Sequence, residues 1–151
     1  MLPKTKKDIL FVGLQLLLFI AFIIDIEFVV LPIDLPNFWD GVFLGLGISI
    51  FILSIAQLGH SLSPFPSPKS NSELVTQGIF KYIRHPIYTS IFIGMLAWSV
   101  RQHSLYQLII SFLILILFYF KSRYEEQLLC EKFKEYKNYR RKTGRFFPKI
   151  F

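Results

Sequence analysis

The sequence predicts an all-α integral membrane protein of about four transmembrane helices, and three observations point there. Apolar residues make up 53% of the 151-residue chain, and they are gathered into four long runs that carry almost no charge. The formal net charge of +7 is one-sided: residues 101–151 hold eleven Lys/Arg against four Asp/Glu, while residues 1–100 hold six of each. With four crossings, the N-terminus, the 60–86 join and the tail from 121 share one side and hold sixteen Lys/Arg, against Arg101 alone on the other. That split predicts cytoplasmic placement of both termini.

The first run, from Ile9 to Leu31, is 23 residues long and interrupted only by Gln15, Asp25 and Glu27. About 20 helical residues span the hydrocarbon core, so this run is long enough to cross. It is too long for the apolar part of a signal peptide, and no small-residue cleavage site follows. Asp25 and Glu27, near its end, are expected to leave the bilayer at the interface. Pro32 and Pro36 are expected to end the helix. The second run, Gly41 to Gly59, begins after the interfacial aromatic Trp39, and Gly41, Gly45 and Gly47 would admit a neighbouring helix closely. The third run, Ile87 to Val100, has 14 residues, and the fourth, Ser104 to Phe120, has 17. Only three residues join these two, so they form an antiparallel helical hairpin.

Beyond Phe120 there is no Gly or Pro before Lys142, so the fourth helix is expected to run on past the membrane surface. Leu129, Phe133 and Tyr136 then fall at helical spacing among Lys and Glu, an amphipathic helix, ended by Gly144, that can lie on the bilayer or fold back on the bundle. A basic tail on an apolar body predicts contact with anionic lipid head groups. No nucleic-acid-binding motif accompanies the pI of 9.6, so nucleic acid is not the expected partner. One cysteine, Cys130, excludes a disulfide framework within the chain and any zinc site built on paired cysteines. His60 and His103 have no partner pattern, so no metal site is expected. The chain thus reads as a single domain, 1–151, divided into two N-terminal helices (1–59), a loop (60–86), a helical hairpin (87–120) and a basic amphipathic tail (121–151).

A 14-residue third run is too short to cross alone, so polar backbone before it must lie at membrane depth, covered by protein or lining a cavity. The segment from Ser61 to Pro86 fits, with Pro64, Pro66, Pro68 and Asn71 marking an extended loop. Pro86 suits the first turn of the next helix, where its missing N–H costs nothing, and the free N–H groups of that turn suit an anionic ligand group. The start of the third helix and the end of the fourth come together in an antiparallel pair. His85 and Tyr88 are therefore expected to meet Lys121 and Glu125 at one membrane face.

At these residues the sequence becomes specific. The stretch Leu74-Val75-Thr76-x-Gly78-x-Phe80-x-Tyr82-x-Arg84-His85-Pro86-x-Tyr88 resembles the isoprenylcysteine carboxyl methyltransferase family. So do Glu125-Glu126-x-Leu128-Leu129, the aromatic residues Phe133, Tyr136 and Tyr139, and the ending Thr143-x-Arg145-Phe146-x-Pro148. The related phospholipid methyltransferases share the Arg-His-Pro and Glu-Glu elements, and the resemblance covers roughly residues 57–148. There are two departures: the spacing from Phe133 to Tyr136 is one residue shorter than usual, and Ser90 stands where the family commonly has glycine.

The resemblance implies an S-adenosylmethionine pocket and a methyl acceptor that is a lipophilic small molecule or prenylated substrate. It places Leu74, Val75, Phe80, His85, Pro86 and Tyr88 in the cofactor lining, with Glu125 as the carboxylate that holds the cofactor. Lys121 falls where the family has a basic residue facing the substrate carboxylate, and Arg123 is a second candidate for that pairing. Glu126 and Tyr82 read as a solvated carboxylate and an interfacial aromatic, and Arg145 as an ion-pairing residue of the tail. The implied reaction is carboxyl methylation of an isoprenylcysteine-like molecule, with cofactor entering from the cytoplasm and substrate from the bilayer. Alternatives are methylation of a lipid amine or small thiol, a non-catalytic protein keeping the fold, or, least favoured, nicotinamide binding as in the longer membrane sterol reductases.

Overall fold

The computed structural model describes residues 5–24, 26, 30 and 37–149. Asp25, Glu27, Pro32 and Pro36, which the sequence assigned to the end of the first helix, lie outside the described residues. Among the described residues the architecture is helical: α1 (Lys6–Ile23), α2 (Asn37–Leu58), α3 (Pro86–Arg101), α4 (Leu105–Lys132) and α5 (Tyr136–Lys142). Single 3-10 turns follow α2 (Gly59–Ser61) and precede α3 (Gly78–Lys81). Extended pairing is confined to isolated bridges, Val30 with Ser104 and Ile83 with Gly144.

α1 opens with a reciprocal cap: Asp8 N–H donates to Thr5 Oγ1 at 3.2 Å, and Thr5 N–H donates to Asp8 Oδ2 at 2.8 Å. It ends well before the apolar run does. Hydrophobicity gives no stop there, but α4 does, because Tyr106 and Gln107 donate to the Ala21 and Phe22 carbonyls that a helix end leaves free. α3 begins at Pro86, and α4 is capped by Ser104, whose hydroxyl accepts from Gln107 N–H.

α2 packs along α3, α3 along α4, and α4 along α1. Ser99 meets Ser111 at 3.1 Å near one end of α3 and α4, and Tyr88 meets Glu125 at 2.9 Å near the other. The two helices therefore run in opposite directions. A buried stripe at helical spacing runs the length of α4 through Gln107, Ser111, Ile114, Phe118, Ser122 and Glu126. Met95, Ile110, Ile114 and Phe118 form the apolar core, with Leu18, Phe19 and Phe22 of α1 against it. Of the three glycines expected to admit a helix, only Gly47 does so, since a Cβ there would stand 3.2 Å from the Ser90 carbonyl oxygen; Gly41 and Gly45 face open space.

Among the described residues two stretches, Phe38–Ser61 of 24 residues and Leu105–Lys132 of 28, are long and apolar enough to cross a bilayer. The expected tail helix needs correction. α4 continues unbroken across residues 120 and 121 but stops at Lys132, and Phe133 turns extended (φ −118°, ψ 114°). α5 is a separate helix of 7 residues. Leu129, Phe133 and Tyr136 share a side that lines the cavity, so of the two expected placements this stretch takes the one folded back on the bundle.

Two substitutions test this packing. Ile114→Ala removes a side chain with no exposure and is expected to lower stability in detergent by about 2–4 kcal/mol, read from thermal or denaturant unfolding. Gly47→Val should cost about 1–3 kcal/mol by forcing α2 off α3, whereas Gly45→Val should leave the melting temperature nearly unchanged.

Candidate active site

The loop from 62 to 77 has no regular structure of its own, and three charged side chains fasten it to the helices. Asp8 of α1 accepts from Ser67 N–H at 3.2 Å and Ser67 Oγ at 2.6 Å. Lys121 of α4 donates to the Pro64 carbonyl at 2.8 Å. Lys132, at the end of α4, donates to the carbonyls of Lys69, Ser70 and Ser72. Backbone carbonyls left over by an irregular loop are satisfied in this way by ammonium groups. Between the loop and helices α2, α3 and α4 lies a cavity of about 340 Å³.

The start of α3 and the end of α4 meet in the wall of that cavity. Tyr88 Oη donates to Glu125 Oε2 at 2.9 Å, and His85 Nδ1 lies 3.7 Å from the same oxygen. The Tyr88 ring stacks on Phe118 at 4.4 Å and on His85 at 5.3 Å, so neighbouring rings hold its orientation. Leu74, Val75, Phe80, His85, Pro86, Tyr88, Glu125 and Lys121 all border the cavity. Arg123 does not. It is exposed, with its guanidinium 6.0 Å from the Tyr119 ring centroid, because its position on α4 points away from the buried stripe. The expectation that Arg123 faces a substrate is therefore corrected.

Glu126 also departs from expectation. It is 1% exposed, and four positive or protonatable groups converge on it: Arg84 Nε at 2.9 Å, His85 Nε2 at 3.3 Å, Arg145 Nη2 at 3.0 Å and Arg140 Nη1 at 3.9 Å. Arg84 also donates to the Arg140 carbonyl at 3.0 Å and to the Thr143 carbonyl. The chain after α5 lies alongside the Arg-His-Pro corner, with Arg84 N–H on the Gly144 carbonyl at 2.9 Å and His85 N–H on the Arg145 carbonyl at 3.0 Å. His85 N–H, just before the first helical turn, is thus taken by the tail rather than free for an anion. A Cβ on Gly144 would stand 1.6 Å from the Phe147 carbonyl oxygen, so only glycine permits this path. Thr89 Oγ1 closes the strap on the Phe146 carbonyl at 2.7 Å.

Tyr136 and Tyr139 finish the floor of the cavity. Burial drives the Tyr136 phenol far above its ordinary range, with the nearby Glu126 and Glu125 carboxylates acting in the same direction. Burial pushes Tyr139 up to about 12, so it stays a neutral donor to the Phe80 carbonyl at 2.6 Å. Tyr82, expected at an interface, is exposed. Among the described residues no cluster of three His, Cys, Asp or Glu side chains is placed to hold a metal. Sequence reasoning passed over Glu126, Asp8 and Lys132, and it noticed Gln15 only as an interruption of the first run. For Glu126 the signal was present, since it continues the stripe Phe118–Ser122 at four-residue spacing. Glu126→Ala would strand Arg84 and His85 without their shared anion and is expected to cost about 3–5 kcal/mol. Limited proteolysis should then cut within residues 143–149 while α4 stays protected.

The phospholipid methyltransferase family matches residues 38–136 of this chain. The cobalt-zinc-cadmium resistance protein CzcN of Cupriavidus metallidurans is 31% identical over 121 residues, covering 74% of this chain and 54% of the relative. The nickel-cobalt-cadmium resistance protein NccN of Alcaligenes xylosoxydans is 30% identical over 121 residues, covering 74% and 55%. The protein-S-isoprenylcysteine O-methyltransferase of Schizosaccharomyces pombe is 34% identical over 116 residues, covering 72% and 48%. The chain spans about half the length of the curated relatives it matches. With the family match taking in both halves of the cavity wall, from the Arg-His-Pro corner to the paired glutamates, this chain belongs to the phospholipid methyltransferase family, relatives of the isoprenylcysteine carboxyl methyltransferases that its motifs resemble.

Proposed function

We propose that this chain is an S-adenosylmethionine-dependent membrane methyltransferase whose acceptor is the carboxylate of a lipophilic, isoprenylcysteine-like molecule. The observation that carries this reading is the meeting of His85, Tyr88 and Glu125 from two helices in one cavity wall, beside the buried Lys121. The residues fit the cofactor. A cavity of about 340 Å³ is of the size that holds a small-molecule ligand, and its lining combines an aromatic ring (Phe80), apolar side chains (Leu74, Val75) and a fixed carboxylate. Glu125 accepts hydrogen bonds from ribose hydroxyls, with Tyr88 holding it in place.

When bound, the cofactor supplies a methyl group on a sulfonium, a leaving group that needs no protonation. A carboxylate with pKa about 4 is already ionised at neutral pH, so no base is required. What the chain must provide is alignment and exclusion of water. Phe51, Ile55 and Leu58 of α2 give the apolar wall, the stapled loop covers the opening, and Lys121 supplies positive charge for the acceptor's head.

The proposal extends to topology: four crossings with both termini cytoplasmic. The lysine-rich start of α1, the loop and the tail gather at one end of the helices, where Thr5 Oγ1 meets Tyr124 Oη at 3.1 Å and Asp8 meets Ser67. Exposed Lys137, Arg140, Arg141 and Lys142 then lie against anionic lipid head groups. A second reading, a lipid amine or small thiol as acceptor, draws support from the metal-resistance relatives, whose names point to no prenylated substrate.

Membranes containing the chain, incubated with methyl-labelled cofactor, are expected to release labelled methanol on mild base treatment; base-stable label in lipid would favour the amine, and a volatile sulfide the thiol. The rate should stay nearly flat above about pH 6 for a carboxylate acceptor, and would climb with pH for an amine or thiol. Glu125→Gln removes a charge-assisted bond and is expected to raise the cofactor KM roughly tenfold to hundredfold. Absence of cofactor binding to the unmodified chain would reject the enzyme reading.

A further inference from the structure

Lys121 is an unusual cation. Its side chain is 1% exposed, and its ammonium is held by two neutral oxygens, Gln15 Oε1 at 2.6 Å and the Pro64 carbonyl at 2.8 Å. Among the described residues, none of the ion pairs includes it. The Glu125 and Asp8 carboxylates act on its charge through space without contacting it, their oxygens being taken up by Tyr88 and His85 and by Thr5 and Ser67. An ammonium has three donors, so one N–H remains beside the Tyr88 ring, whose centroid is 5.5 Å away, and no anion is in contact with the charge. A buried charge without a counter-ion is costly, and a bound oxyanion at the cavity would offset that cost.

Gln15 is the polar residue that makes this arrangement. It borders the cavity and is the single polar side chain between Ile9 and Ile24. Its oxygen accepts from Lys121, and its amide N–H groups remain as donors. A glutamate at the same position would reach the ammonium equally well and neutralise it. The identity of residue 15 therefore decides whether the charge of Lys121 is available to a ligand. Around it, Leu14, Leu16 and Leu17 are exposed on the outer face of α1, so the polar pair sits between an apolar surface and the cavity. That setting suits an amphiphile, a hydrocarbon chain carrying an oxyanion head. α1 lies outside the family-matched residues 38–136.

We propose that Gln15 is a specificity-determining residue which, by holding Lys121 through a neutral oxygen, reserves its charge for the oxyanion head of the methyl acceptor. This rests on the methyltransferase reading for the word acceptor, but the oxyanion site can be tested by binding alone. The full chain in detergent is titrated with N-acetyl-S-farnesylcysteine, with its carboxamide, with farnesyl phosphate and, separately, with S-adenosylhomocysteine. The unmodified chain is expected to bind the carboxylate, the phosphate or both at least about tenfold tighter than the carboxamide, and the tighter of the two identifies the head group. Gln15→Glu should erase that preference while carboxamide and S-adenosylhomocysteine affinities stay within about twofold, which also reports an intact fold. Lys121→Met should erase it likewise. A preference that survives in Gln15→Glu overturns the proposal, as does the absence of any preference in the unmodified chain. Weakened S-adenosylhomocysteine binding in its place also overturns it, since Lys121 would then serve the cofactor's own carboxylate. Failure of S-adenosylhomocysteine to bind at all rejects the methyltransferase reading instead, and the carboxylate–carboxamide difference still judges the oxyanion site.

Discussion

The buried carboxylate of Glu126 is the constraint on which the rest of the site depends. It draws Arg84 and His85 from the loop–helix corner and Arg145 from the tail onto one turn of α4. A lone carboxylate at that depth would be strongly unfavourable, and so would the cations that surround it; only the assembled set is tolerable. Because the members come from three separate stretches of chain, satisfying the charges fixes the relation of those stretches. His85 then stands against Tyr88, and Tyr88 against Glu125, one residue around the helix from the hub and just inside the cavity.

The same economy governs the loop. Asp8, Lys121 and Lys132 each hold loop polar groups that no helix or strand satisfies. Charged residues here act as fasteners for irregular backbone, which is what permits such backbone to cover an apolar cavity. Lys121 has a double position, since one side of its ammonium secures the loop while its charge borders the cavity.

Much of this was legible in the sequence, and the parts that were not have identifiable reasons. The three-residue join between the third and fourth runs places His85 and Tyr88 opposite Glu125, because helices of known rise joined by a short turn leave little choice. Leu74, Val75, Phe80, His85, Pro86, Tyr88 and Glu125 then border one cavity, while Tyr82, Glu126 and Arg145 of the same motifs do not. What failed was whatever depended on which side of a helix a polar residue takes. Glu126 reads as solvated when its neighbours are Glu125 and Gln127, and only its register with Phe118 and Ser122 reveals burial. Arg123 fails for the converse reason, being out of register with that stripe. The break after Lys132 has no glycine or proline to announce it; the chain turns there as Tyr136 enters the core and Lys132 grips the loop. Likewise the end of α1 is met by side chains of α4 85 positions away, which no local pattern records.

The strap formed by Gly144, Arg145 and Phe146 has a consequence for how the protein comes into being. The corner that carries His85 is held by backbone bonds to residues about sixty positions later. During synthesis the helices can therefore form before the pocket has its shape, which it acquires only once residues 144–146 have been made and have docked on the corner. Closure of the cleft is in this sense a step separate from formation of the helices that wall it.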